Sequence, residues 1–335
     1  MAVTVQTSAK VVGIMCQNAR LLAFETSLFG AWIKRNTEER YGKIRLYMKQ
    51  EELEMEWVER LNQSIRYIEE HLSCEIAYEQ LGKIACCSAY HYQRMFTYMA
   101  GVPLSEYIRR RRMSLAAVDL QGSDAKVIEI AAKYGYSSPT AFNRAFQSVH
   151  GVAPSALRSE GIAVKSYPPI TFHISVKGAE ELNYRIETKE AIRIVGVSCP
   201  LEKEIEKNFA VVPQMWQNAA ANGTVEKLAE MMDTPPMGLL GVSVCNGTDQ
   251  WKYFIAVSTT KECGSFEAYT IPAAMWAVFS GEGTNMSIQE LEQRIVTEWL
   301  PTSGYEYGNA PDIEVYISPD PQNAKYEVWI PVVKR

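Results

Sequence analysis

The sequence of 335 residues predicts a multidomain protein, in which an all-α domain is followed by an α+β domain. Three observations lead to this prediction. Residues 56–158 read as short helices, and two of these helices begin and end in the same way fifty residues apart. Beyond residue 180, apolar runs rich in Val, Ile, Tyr and Trp alternate with helical stretches, which is the pattern of an α+β domain. The net charge also changes, from +2 over residues 55–159 to −9 over residues 160–335.

The composition is that of a folded chain with packed cores. Hydrophobic residues make up 47% and charged residues 22%, which excludes a disordered, collagen-like or coiled-coil protein. The net charge of −5 argues against a nucleic-acid partner, but the slightly basic helical part removes that objection. Seven cysteines without a CxxC pair indicate neither a disulfide framework nor a zinc site. With no apolar run of membrane-spanning length and no signal-peptide pattern, we expect a cytoplasmic protein without a cofactor or metal.

Residues 1–54 show no sustained hydrophobic period. The codons for Gln50-Glu51-Glu52, shortly before Met55, could form a purine-rich ribosome-binding site. We therefore predict that Met55 is the natural start and that residues 1–54 are a poorly ordered extension or a translated leader. A genuine helical extension is the alternative.

The helical part begins with an amphipathic segment. Apolar residues in Trp57–Leu72 recur every three or four positions, which predicts a helix with one buried face. We expect a short helix at Tyr78–Ala85, a long one at Leu104–Gln121 and another short one at Lys126–Lys133.

Two further helices form an internal repeat. Ser88 and Ser138 are good N-caps, and Gly101 and Gly151 are good stop signals. Each copy reads as a short helix, a tight turn and a second helix with an arginine among aromatics, which is the helix-turn-helix arrangement. A single copy would be an ordinary all-α segment, whereas two copies in register favour DNA binding through the second helix of each. The residues expected to anchor these helices in the core are Tyr92, Met95, Phe96, Phe142, Ala145 and Phe146.

Residues 56–158 resemble the AraC/XylS family of bacterial transcription regulators. The stretches SAYHYQRMFTYMAGVPLSEYIRRRRMSLAA and IAAKYGYSSPTAFNRAFQSVHGVAPSALR carry the resemblance. It implies two recognition helices in successive major grooves of double-stranded promoter DNA. Arginine can pair with guanine, and asparagine or glutamine with adenine. The family's base-contacting positions fall on Tyr90, Gln93 and Arg94 in the first helix and on Pro139, Thr140, Asn143 and Arg144 in the second.

Two features of this region leave questions open. Pro139 has no side-chain donor, so we expect the second recognition helix to read fewer bases directly. The run Arg109–Arg112 spreads around its helix, so its members can approach phosphates or pair with acidic residues of the domain. The sequence gives the two uses equal weight.

The second half of the chain follows a linker over residues 161–180, stiffened by Pro168-Pro169. From residue 181 to 335, the order strand, helix, hairpin occurs twice. Two such units imply a pseudo-symmetric domain with a small-molecule cleft at the seam. The predicted elements are Ile192–Cys199, Glu204–Ala221, Gly238–Cys245 and Trp251–Ser258 in the first unit, and Met275–Phe279, Ile288–Leu300, Ile313–Ile317 and Tyr326–Val332 in the second.

Alternation along Ile313–Ile317 predicts two different faces for this strand. We expect the aliphatic residues to face the helices, and Glu314 and Tyr316 to point the other way. Neighbouring strands supply aromatics such as Tyr253 and Trp276, and a carboxylate among aromatic walls suits a cationic, apolar ligand. Alternatively, Glu314 faces solvent and the aromatics are core residues.

Residues 183–334 resemble the GyrI-like effector-binding domain, on the stretches PQMWQ, PDIEVYISPD and YEVWIPV. The resemblance places the acidic pocket residue at Glu314 and makes Trp216, Trp276 and Tyr316 candidates for its aromatic walls. Together the two halves have the domain order of Rob-like regulators. We therefore predict a DNA-binding transcription regulator that binds a small cationic or amphipathic effector and contacts RNA polymerase. The alternatives are a hydrolase with Glu314 as general base and a protein that sequesters a drug-like molecule.

Overall fold

A computed structural model describes residues 56–158, 162–173, 181–245, 250–318 and 323–335, all of which lie within one compact unit, Leu53–Arg335. The predictions for residues 1–54 and for Met55 as the start fall outside these ranges. No helix within them is both long enough and apolar enough to cross a lipid bilayer.

The described chain begins with a run of helices, which we number in chain order. The predicted helices are confirmed to within a few residues at their ends. They are α1 (residues 56–70), α2 (Tyr78–Ile84), α3 (Ala89–Ala100), α4 (Leu104–Gly122), α5 (Val127–Lys133) and α6 (Pro139–His150), followed by a 3-10 turn at Pro154–Arg158.

The caps of α3 and α6 confirm the internal repeat. The hydroxyl oxygen of Ser88 accepts a hydrogen bond from the backbone N–H of His91 at 3.1 Å, and Ser138 caps α6 in the same way. Both helices end at a glycine with positive φ, 68° at Gly101 and 80° at Gly151. A residue with a side chain is strained in that conformation, so glycine is the natural stop.

Two apolar cores hold the helical half together, and α4 belongs to both. Its first part packs with α1, α2 and α3, and its second part packs with α5 and α6. The long helix is therefore a rigid connection between the two helix-turn-helix units. The predicted anchor residues are confirmed, with Ala145 partly buried and the others fully buried: Tyr92, Met95, Phe96, Phe142 and Phe146.

Residues 162–173 have no regular secondary structure, yet they form more than a spacer. Phe172 is buried in the first core, and the side chain of Asn62 bonds its backbone N–H at 2.9 Å and its carbonyl at 3.1 Å. Tyr167 packs against the second core. We call residues 162–173 the strap, because they cross both cores of the helical half.

The second half is built on one antiparallel sheet. Its strands are β1 (Tyr184–Lys189), β2 (Ile192–Leu201), β3 (Leu239–Val244), β4 (Trp251–Ser258), β5 (Glu267–Ile271), β6 (Ala274–Gly283), β7 (Tyr305–Tyr307), β8 (Asp312–Tyr316) and β9 (Ala324–Lys334). They lie side by side in the order β1-β6-β9-β8-β3-β4-β2-β5, with β7 paired to β9. Both predicted hairpins, β3–β4 and β8–β9, are confirmed, and β1, β5 and β7 are additional.

The helices of this half depart from prediction in two places. The predicted helix Glu204–Ala221 is interrupted, because the Asn208 side chain bonds the backbone N–H and carbonyl of Glu202 and holds a 3-10 turn there. An additional helix follows it. The helices are α7 (Val211–Ala221), α8 (Thr224–Met231) and α9 (Asn285–Arg294), the last continuing as a π turn at Ile295–Trp299 and a short helix, α10 (Leu300–Thr302). The pseudo-symmetry of the two units stays a prediction.

Candidate functional site

The alternate residues of β8 face opposite sides of the sheet, but the sides are the reverse of those expected. Ile313 and Val315 belong to an apolar cluster whose described residues lie on strands or in a turn, and none of them on a helix. Glu314 and Tyr316 lie on the side that carries α7 and α8. The prediction was wrong because the sheet is buried on both sides, so an apolar face does not identify the side that carries helices.

Trp276 lies on the same side as Ile313 and is completely buried. Its ring centroid is 5.9 Å from that of Trp329, deep in the apolar cluster. The structure therefore separates Trp276 from the other residues expected to form the effector pocket.

The other four residues come together around one carboxylate. The hydroxyl of Tyr316 donates to Glu314 Oε2 at 2.8 Å, and that of Tyr253 donates to the same oxygen at 3.4 Å. The indole N–H of Trp216 donates to the Tyr253 hydroxyl at 3.0 Å, and its ring packs edge-on against Tyr316. Burial raises the pKa of both tyrosines, so their hydroxyls stay protonated and remain donors.

Gly241 makes this arrangement possible. A Cβ atom at this position would lie 2.2 Å from the Tyr253 hydroxyl and 3.0 Å from Glu314 Oε2. Any side chain would therefore push the two polar groups away from the strand. The glycine is needed here for close approach.

Glu314 belongs to an acidic cluster, which we define as Glu292, Asp312 and Glu314. Burial raises the pKa of Glu314 to about 7, and the nearby charge of Glu292 acts in the same direction, while Tyr316 and Arg94 oppose it. Burial also disfavours the charge of Asp312, but His91 and Arg94 outweigh this effect and keep its pKa below the usual range. Sequence reasoning missed Asp312, although it lies two residues before Glu314 on the same strand face, and nothing in the pattern pointed to Glu292.

The first recognition helix, α3, packs directly on this cluster. Arg94 donates through Nη1 to Asp312 Oδ2 at 2.8 Å, and its Nη2 lies 2.7 Å from Glu292 Oε1. Tyr90 donates to the Ser243 hydroxyl at 3.0 Å, and Gln93 donates to the Lys203 carbonyl at 2.8 Å. Tyr90 and Gln93 are buried, and the Arg94 side chain is 15% exposed. All three residues expected to read bases thus contact protein in this arrangement.

The second recognition helix, α6, presents its expected base-reading residues differently. Thr140 and Arg144 are exposed, Asn143 is half-buried, and Pro139 occupies the first helical position. Within the described ranges, the side chains of Thr140, Asn143 and Arg144 make no hydrogen bond or ion pair. This face of α6 is open to a partner.

The arginine run of α4 is committed to partners within the chain. Arg109 and Arg110 pair with Glu106, and Arg111 pairs with Glu69. Arg112 donates to backbone carbonyls after α1. Of the two uses left open by the sequence, pairing with acidic residues of the domain is the one that the structure shows for Arg109, Arg110 and Arg111, whereas Arg112 bonds backbone carbonyls instead.

Two cavities lie near these elements, and Glu314 lines neither of them. One, of about 510 Å³, includes Lys83, Cys87 and Tyr307 in its wall. The other, of about 360 Å³, includes Arg193 and Trp329. Glu314 is partly exposed, and its carboxylate is capped by the hydroxyls of Tyr253 and Tyr316.

Comparisons with known proteins identify both halves. Residues 182–333 match the model of the GyrI-like small molecule binding domain, and residues 81–160 match that of a helix-turn-helix domain. The HTH-type transcriptional activator AarP of Providencia stuartii is 35% identical over 98 residues, which are 29% of this chain and 73% of AarP. The right origin-binding protein of Escherichia coli K12 is 23% identical over 288 residues, covering 79% of this chain and 95% of that protein.

Solved structures resemble each half separately. SAV2435 bound to tetraphenylphosphonium aligns with a TM-score of 0.41 and 19% identity, covering 45% of this chain and 94% of that one. The DNA-binding domain of AdpA in complex with a target DNA aligns with a TM-score of 0.28 and 28% identity, covering 29% of this chain and 88% of that one.

Proposed function

Because this chain belongs to the AraC family of transcription regulators and carries a GyrI-like small-molecule binding domain, we propose that its effector is a lipophilic cation bound against Glu314. The chain is a DNA-binding regulator with a small-molecule binding domain, and the proposal concerns the chemical class of the small molecule. The observation that supports a cation is the acidic cluster, in which Asp312 and Glu292 hold the Arg94 guanidinium while the third carboxyl group, Glu314, is held by hydroxyl groups.

The charge of the cluster favours an additional cation. Arg94 is engaged by Asp312 and Glu292, so among the described residues the Glu314 carboxylate has only hydroxyl groups as direct partners. An ionised carboxylate in such a place is costly without a counter-charge. A cation at Glu314 supplies that counter-charge, and the neighbouring aromatic rings add cation–π attraction and apolar contact.

The effector reaches Glu314 when α7 moves. This helix buries only Ala219 fully, and Phe209 just before it is 59% exposed. An element with so few buried contacts opens at a low free-energy cost. Displacing Trp216 from Tyr253 would uncover the carboxylate while leaving the sheet intact.

Replacing Glu314 with glutamine is expected to weaken binding of tetraphenylphosphonium at least about 30-fold, because truncating one partner of a buried charge pair costs about 2–5 kcal/mol. Isothermal titration calorimetry measures this. For the unmodified protein the affinity should rise from pH 6 to pH 8, since Glu314 loses its proton around its pKa of about 7 and only the ionised form attracts the cation. In Glu314→Gln that rise should disappear.

Two controls accompany this test. Glu267→Gln removes an exposed carboxylate paired with Lys252 and should leave the affinity unchanged. Triphenylphosphine oxide, which is neutral and also aromatic, should bind far more weakly than the phosphonium. Equal affinities of Glu314→Gln and the unmodified protein would remove Glu314 from the site.

Arg144→Ala is expected to weaken binding to a DNA site selected from a random pool by about 1–3 kcal/mol, because the exposed guanidinium on α6 is free to meet a base edge. A fluorescence-anisotropy titration at fixed salt measures the loss. Arg66→Ala, which removes an exposed arginine paired with Glu59 on α1, is the matched control and should have little effect. An Arg144→Ala variant that binds the selected site normally would contradict the assignment.

The other functions considered have less support. AarP and the related Rob of Salmonella typhimurium are named as transcriptional regulators, which does not favour the hydrolase or the sequestering protein. Contact with RNA polymerase stays a prediction.

A further inference from the structure

The contact between α3 and the α+β domain uses the same side chains that would read DNA. Tyr90, Gln93 and Arg94 each bond to a residue beyond position 200. Aromatic packing reinforces the contact, since the His91 ring stacks on Tyr307 at 4.0 Å and Tyr90 packs edge-on against Trp251. This face of α3 cannot enter a major groove and contact the α+β domain at the same time.

The carboxylates of Asp312 and Glu292 offer the Arg94 guanidinium the same kind of hydrogen-bond acceptors that DNA would offer. Guanine presents two acceptors to an arginine in the major groove, and phosphates present anionic oxygens. Here Asp312 and Glu292 provide anionic acceptors at 2.8 and 2.7 Å. The remaining oxygens are also engaged, because His91 Nε2 lies 2.9 Å from Asp312 Oδ1 and Tyr98 donates to Glu292 Oε2 at 2.7 Å. All four oxygens of the two carboxylates that hold Arg94 are thus engaged within the protein.

We infer that this contact is an autoinhibitory latch, in which Arg94 serves as an internal cation of the acidic cluster and a cation bound at Glu314 releases α3 for DNA. The inference rests on the proposed cation site.

The coupling between the two sites follows from their position. Asp312 and Glu314 are two residues apart on the same face of β8, so a cation at Glu314 places a second positive charge beside Arg94. Like charges in a poorly solvated cluster repel strongly, which weakens the hold on α3. Linkage makes the effect reciprocal, so DNA that draws Arg94 away raises the affinity for the cation by the same factor.

Glu292→Gln tests the latch without altering a residue expected to contact DNA or to hydrogen-bond in the cation site. The substitution keeps the shape of the Glu292 side chain and removes one of the two negative charges that pair with Arg94. Without cation, binding to the selected DNA should strengthen by about 5- to 150-fold, the range usual for coupled sites. Added cation should then change DNA affinity less than in the unmodified protein. Glu327→Gln, which removes a carboxylate paired with Arg185, is the control and should behave as the unmodified protein does.

A second measurement needs no substitution. Cys245 is buried against Tyr90 and Trp251, at the contact that the latch closes. A saturating concentration of the same phosphonium cation should therefore speed alkylation of Cys245 by iodoacetamide at least severalfold, located by peptide mass spectrometry. The experiment uses the full chain, and Cys74, which is already exposed, reports any general effect of the cation on the reagent.

The outcomes separate the latch from the site on which it rests. Unchanged Cys245 alkylation in protein shown by calorimetry to hold the cation overturns the latch and leaves the effector site standing. DNA affinity of Glu292→Gln equal to that of the unmodified protein also overturns it. Absence of cation binding to the unmodified protein overturns the proposed effector, and the release mechanism with it.

Discussion

Replacing Trp276 with alanine is expected to lower the free energy of unfolding by about 3–5 kcal/mol and to leave the cation affinity of the folded protein unchanged. The side chain is 0% exposed and packs on Trp329, on the side of the sheet opposite Glu314. Its removal therefore leaves a cavity in the apolar cluster. Urea denaturation followed by circular dichroism measures the stability, and calorimetry with the phosphonium cation measures the affinity.

Two variants make this test specific. Trp276→Phe should cost much less than the alanine variant, because within the described ranges the Trp276 indole N–H has no hydrogen-bond partner to lose. Trp216→Ala should alter the cation affinity more than the free energy of unfolding, the opposite of what we expect for Trp276→Ala. The reason is that Trp216 is partly exposed and donates a hydrogen bond to Tyr253 beside Glu314. If Trp276→Ala stayed stable but lost the cation, the family resemblance would have placed this residue correctly.

Arg111→Ala is expected to lower the free energy of unfolding by about 3–5 kcal/mol, because it leaves Glu69 uncompensated. The Arg111 side chain is only 9% exposed, and its guanidinium bonds both oxygens of Glu69 and the carbonyl of Tyr167 in the strap. Urea denaturation again provides the measurement.

The neighbouring arginine is a natural control for this variant. Arg110 pairs with Glu106, and its side chain is 34% exposed, so Arg110→Ala should cost less than about 1 kcal/mol. Full stability of Arg111→Ala, combined with weaker non-specific DNA binding and a shallower salt dependence, would instead indicate that Arg111 contacts phosphates.

Features that depend on neighbours in sequence were predictable. Ser88 and Gly101 mark the ends of α3 because capping uses only the first and last turns of a helix. The hairpins and the aromatic anchors of the helical half followed from patterns of similar range. Grouping Trp216 with Tyr316 and Glu314 needed the family resemblance as well. Trp216 lies on α7, which is far from β8 in sequence and meets it only in the folded protein.

Features that depend on docking were not predictable. Alternation in β8 divided its residues correctly between two faces, but it could not tell which face carries helices when both are buried. The same limit led to the grouping of Trp276 with Glu314. The partners of Arg94 were beyond reach for a different reason, because Asp312 lies 218 residues further along the chain and no local pattern joins them.

The strap gives the two helix-turn-helix units a second connection beside α4. It packs on one core through Phe172 and on the other through Tyr167, so the units are tied at two places and cannot easily twist about the long helix. With the distance and angle between α3 and α6 fixed, we expect DNA binding to depend on the spacing of the two half-sites. Inserting one base pair between the half-sites rotates one of them by about 35°, given about 10–10.5 base pairs per turn. We therefore expect such an insertion to weaken binding even when every base of both half-sites is kept.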